Sequence, residues 1–126
     1  MPPRRASTKT RPEAAKTEGP RQLNLEEFAD LMVQLGISRL RDRIDLVDRE
    51  IVRLLARRRQ LSMEVGRAKA DQGWPVKVPD REVELLEVVR EEAILNQLDP
   101  DYVEGLFEMV LESSRRAQRE LRHAES

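Results

Sequence analysis

Five polar side chains stand where helical periodicity asks for apolar ones: Arg58, Lys69, Glu82, Ser114 and Gln118. Arg58 completes the series Leu40, Ile44, Val47, Ile51, Leu54, Leu61, Val65 and Ala68, whose spacings then alternate between four and three. Lys69 follows eleven residues later, a turn of about 20° and a rise of about 16 Å in a helix, so the two cations share a face. Ser114 and Gln118 extend the stripe of Phe107, Val110 and Leu111, and Glu82 shares one with Leu86, Val89 and Ala93. Taken singly, each has a plain structural explanation. A seam arginine sets register, a first-turn glutamate answers the helix dipole, and Ser and Gln one turn apart bond locally. Taken together, they need each other or a ligand, because a buried charge without a partner is strongly destabilising. Two cations, one carboxylate and a neutral polar pair in an apolar interior suit a small dianion that carries a hydroxyl group.

Composition narrows the chemistry further. The chain has no cysteine and one histidine, His123, which argues against a disulfide framework, a thiol nucleophile or a zinc site. No cofactor and no metal are expected. A net charge of -1 gives no global pull toward nucleic acid or a membrane, and no apolar run approaches the roughly 18 residues of a membrane span. A cytoplasmic protein is the default expectation. Charged residues make up 37% of the chain and aromatics 3%, the composition of helices with one packed and one wet face, so the expected class is all-α.

The elements that must carry these groups can be read in order. Residues 1–22 hold four of the seven prolines and no Leu, Ile, Val or Phe, which predicts a disordered basic tail. Asn24 with Glu27 makes a capping box and Gly36 a stop, predicting a short extra helix over 25–35 within a segment 23–37. From Ser38 to Gln72 there is no proline and one glycine, Gly66, which predicts one very long helix of about 50 Å. That exceeds the roughly 30 Å diameter of a small domain, so the long helix is expected to lie against its twin in an intertwined homodimer. Gly73 and Pro75 end it. Pro79 and Asp80 open a second helix to about Gln97, with Val83, Leu86, Val89 and Ala93 inward; Asp99 and Pro100 open a third to about Leu121. The helical domain is thus expected over 38–122, with a tail at 123–126.

The segment LRDRIDLVDREIVRLLARRRQLSMEVGRAK, Leu40 to Lys69, resembles the first helix of AroQ-type chorismate mutases. The likeness continues through GWPVKVPDRE and LDPDYVEGLFEMVLESSRRAQ, covering about residues 39–121 in order. It implies a three-helix AroQ-like protomer and the isomerisation of chorismate to prephenate in phenylalanine and tyrosine biosynthesis. It also implies roles. Arg41 and Arg58 match the two carboxylate-binding arginines, with Arg41 serving the other protomer's site, and Lys69 matches the lysine at the ether oxygen and a carboxylate. Arg81 and Glu82 match the pair near the substrate hydroxyl, Ser114 a residue near the ring carboxylate, and Gln118 the second group at the ether oxygen. Many members carry an aspartate three residues before the arginine of the Arg-Glu pair, whereas this chain has Val78, whose side chain accepts no hydrogen bond.

Helix geometry gives an independent reason for a shared site. Arg41 and Arg58 are seventeen residues apart, about 25 Å of rise and about 100° of turn on one helix. One small substrate gripped by both therefore requires two copies of the helix. Two rival readings remain: an isochorismate pyruvate lyase on the same scaffold, and a non-catalytic helical regulatory subunit. Glu82 and the small Ser114 favour the mutase over the lyase, and the retained polar set argues against a scaffold, which apolar residues would serve better. Whether the enzyme works alone or with a partner enzyme of the aromatic pathway is left open.

Overall fold

The computed structural model describes residues 22–125. The expected disordered tail falls almost wholly outside them. Among the described residues there are three helices and no strand: α1, Leu25–Asp71; α2, Pro79–Leu95; and α3, Pro100–Glu125. The all-α class follows. The chain divides into two compact units, Met1–Val47 and Asp48–Ser126.

The first unit holds the start of α1. Asn24 Oδ1 accepts from the Glu27 backbone N–H at 2.8 Å, and Glu27 Oε1 accepts from the Asn24 backbone N–H at 3.2 Å. This reciprocal capping box satisfies N–H groups that the first turn leaves without partners. The expected stop at Gly36 does not occur, so the short separate helix over 25–35 is corrected to the opening turns of α1. Gly36 keeps a negative φ and no proline follows until Pro75. The glycine is then only a propensity cost of about 1 kcal/mol, too little to break a long helix. The stripe Leu25, Phe28, Met32 and Leu35 remains exposed, by 87, 51, 44 and 44%.

In the second unit α2 and α3 pack on each other, and the later turns of α1 meet them through side chains. Val89, Ala93, Leu111 and Ala117 are buried, as is Gly66 of α1. Val83, expected inward on α2, is exposed while Leu85 lines a cleft; the buried face is centred on Glu82, Leu85, Val89 and Ala93. Arg90 of α2 reaches Asp101 at 2.8 Å and Glu104 at 3.3 Å, pinning the start of α3. Helix α3 runs on to Glu125, so the expected tail at 123–126 is helical through that residue, with Arg122 and His123 in a last turn that favours basic groups. Two glycines have defined jobs. Gly73, at φ +71°, turns the chain out of α1. A Cβ placed on Gly66 would lie 2.8 Å from Gln118 Cγ, so only glycine lets α3 approach α1 this closely.

The seam of α1 stays open along the second unit, where Ile51, Leu54, Leu61 and Val65 are each at least half exposed. An apolar groove of about 580 Å³ runs beside it, lined by Leu54, Leu55, Phe107 and Val110 among others.

Candidate active site

A cleft of about 260 Å³ opens within the second unit, just below the usual range of about 300–1,000 Å³ for ligand sites. It gathers Arg58 and Lys69 from α1, Arg81 and Glu82 from α2, and Ser114 and Gln118 from α3. Six of the seven residues singled out in the sequence therefore share one cavity. Arg41 does not line it; it is exposed and belongs to the first unit.

The cations are held in place by neutral acceptors. Arg58 Nη1 donates to Ser114 Oγ at 3.0 Å, which leaves other guanidinium donors for a ligand. Burial, and next the charge of Arg81, press Arg58 below the ordinary arginine value, yet arginine stays charged. Lys69 Nζ donates to Val76 O at 2.7 Å and Gln118 Oε1 at 3.3 Å. Two of its three protons are thus taken and one remains. Burial lowers its pKa, the charge of Arg122 lowers it further, and Glu82 pulls the other way. The α1–α2 loop that supplies the Val76 carbonyl is itself fixed, by the Trp74 N–H donating to Lys69 O at 2.8 Å and by Arg122 donating to Trp74 O.

Gln118 is the most buried polar side chain of the site, 5% exposed. Its Nε2 donates to Ser62 O at 2.8 Å and Ser62 Oγ at 3.1 Å. The amide is therefore spoken for on both ends: in this arrangement Gln118 orients Lys69, and donating to a ligand would require the amide to turn over. Arg81 is exposed and pairs with Glu84 at 3.2 Å. Glu82 instead receives Arg115 Nη1 at 2.6 Å, both side chains being about one-sixth exposed. Val78 also lines the cleft, with only its backbone carbonyl engaged, accepting from the Glu82 N–H at 3.2 Å.

Ser62 and Arg115 are lining residues that the sequence reading passed over. Both had a signal. Ser62 lies seven residues before Lys69, two helical turns on the same face, and Arg115 falls between Leu111 and Gln118 at spacings of four and three.

The arrangement defines a class: an all-helical protein with a cation-rich cleft whose side chains are chemically able to hold an anionic group and to stabilise negative charge. Residues 40–119 match the family described as chorismate mutase type II, and the chain belongs to that family. It is 40% identical over 78 residues to a T-protein of Enterobacter agglomerans, covering 62% of this chain and 21% of the relative. It is 39% identical over 82 residues to the bifunctional chorismate mutase/prephenate dehydratase of Escherichia coli (strain K12), covering 65 and 21%. A T-protein of Haemophilus influenzae is 35% identical over 75 residues, covering 60 and 20%. The chain thus spans about a fifth of the length of these relatives. Among the described residues no helix is long and apolar enough to cross a membrane.

Proposed function

We propose that this protein is a chorismate mutase, an isomerase that converts chorismate to prephenate by an intramolecular rearrangement. The observation that carries the reading is the convergence of Arg58, Lys69, Glu82 and Gln118 on one cleft in a chain of this family. The relatives joined to prephenate dehydratase support a setting in which another enzyme consumes prephenate.

The ether C–O bond breaks as a C–C bond forms within one molecule, so no acid, base or nucleophile is needed. The protein has two tasks. It holds the enolpyruvyl arm over the ring, for which an arginine fork on each carboxylate suffices. Arg58 supplies one fork; Arg41 of a second copy supplies the other. The open seam of α1 and the apolar groove beside it support a homodimer. The protein also stabilises charge on the ether oxygen as the C–O bond stretches, and the remaining proton of Lys69 is the donor. Glu82 accepts from the ring hydroxyl with Arg81 beside it, and Ser114 fixes Arg58. An acceleration of about a millionfold needs about 8 kcal/mol, within reach of orientation and electrostatics together.

A bicyclic ether dicarboxylate that mimics the transition state tests the reading by calorimetry. The expected result is saturable binding at least 100-fold tighter than prephenate. Binding no tighter than prephenate would remove the mutase and leave the lyase and the non-catalytic scaffold.

A further inference from the structure

Glu82 is answered from another helix. Its own neighbour Arg81 pairs with Glu84, in an exposed i,i+3 bridge, while Arg115 crosses from α3 to donate to Glu82 Oε1 at 2.6 Å. Arg115 Nη2 is meanwhile held by Glu112 Oε2 at 2.8 Å, one turn back on its own helix. Both terminal nitrogens are therefore committed to carboxylates. The hydrogen bond that Arg115 donates to Glu82, then the one it donates to Glu112, holds Arg115 above the ordinary arginine value. With its charge spent in this way, Arg115 is poorly placed to act as one more anion-binding cation, although it lines the cleft. Among the described residues no hydrogen bond reaches Glu82 Oε2, so that oxygen keeps its lone pairs for a donor from outside the protein.

We propose that Arg115 is a positioning residue that sets specificity: braced by Glu112, it locks the Glu82 carboxylate in one orientation with Oε2 free, and so makes the site demand a ligand hydroxyl. This rests on the mutase reading, in which Glu82 meets the ring hydroxyl. Without Arg115 the carboxylate has no fixed rotamer and a hydroxyl gains little by meeting it. A bridge that served only to join α2 to α3 would affect melting and leave hydroxyl recognition alone.

The test compares two bicyclic ether dicarboxylates, one with the ring hydroxyl and one with hydrogen in its place, by calorimetry on the full chain. In the unaltered protein the hydroxyl should tighten binding about tenfold or more, as a hydrogen bond to a charged group does. In Arg115→Met that advantage should fall to about twofold or less, while the hydroxyl-free compound binds almost as before. In Glu82→Gln the advantage should be equally small, and adding Arg115→Met should change it no further. Should Arg115→Met fail to fold, Arg115→Gln carries the same comparison. An undiminished advantage in the folded Arg115 variant overturns the proposal while leaving the mutase reading in place. Failure of the unaltered protein to bind either compound or to turn over chorismate overturns both.

Discussion

Lys69→Ala should lower kcat by about 100- to 1,000-fold, the usual consequence of losing one donor to a developing oxyanion, while KM moves by a few-fold. Lys69 is fixed before any ligand arrives, by Val76 O and Gln118 Oε1. Its remaining proton gains most when the ether oxygen turns negative, which happens in the transition state and not in bound substrate. The same group sets a pH dependence. Activity needs charged Lys69, so it is present below the Lys69 pKa and lost above it. Because burial lowers that pKa in the ligand-free protein, the basic limb of kcat/KM, which reports the free enzyme, should lie below the ordinary lysine value of about 10.4. In Lys69→Arg, whatever activity remains should lack that limb. Steady-state kinetics from pH 6 to 10 give both results. A change confined to KM would make Lys69 an ordinary binding residue.

Arg41→Ala and Arg58→Ala should each be nearly inactive alone and should rescue one another when mixed. In the sequence they are seventeen residues apart, about 25 Å of helical rise, too far for one substrate to bridge within one helix. Arg58 lies in the cleft and Arg41 does not line it, so a site that uses both draws Arg41 from a second copy. Unfolded together in equal amounts and refolded, the two variants should pair at random. About half the dimers are then mixed, each with one intact site and one doubly damaged site, and activity returns to about a quarter of the unaltered protein. If mixed dimers form and no activity returns, each site is complete within one chain.

The α1 seam and its polar interruptions were legible because helical period is a property of sequence alone. Arg58 and Lys69 could be placed on one face from their spacing, and the Asn24–Glu27 box from its residue types. What depends on the approach of two helices was not legible. Nothing local to Gly66 says that α3 brings Gln118 against it. Arg115 followed Ser114 in a run of charged residues, and nothing local says that it crosses to Glu82 rather than facing water. Gly36 misled for the opposite reason: a glycine after a periodic run is a common stop, and only the continuity of α1 shows that the penalty was absorbed. The partners of Gln118 were not legible either: its amide is engaged by Ser62 and Lys69, which only the packing of α3 on α1 brings within reach.

Whether the cleft rearranges chorismate is read from the loss of chorismate absorbance on adding purified protein, with the product identified. The expected result is saturable loss of chorismate, prephenate as the sole product, no pyruvate released from isochorismate under the same conditions, and collapse of the rate in Lys69→Ala. Stable chorismate absorbance with folded protein, or a product other than prephenate, would contradict it.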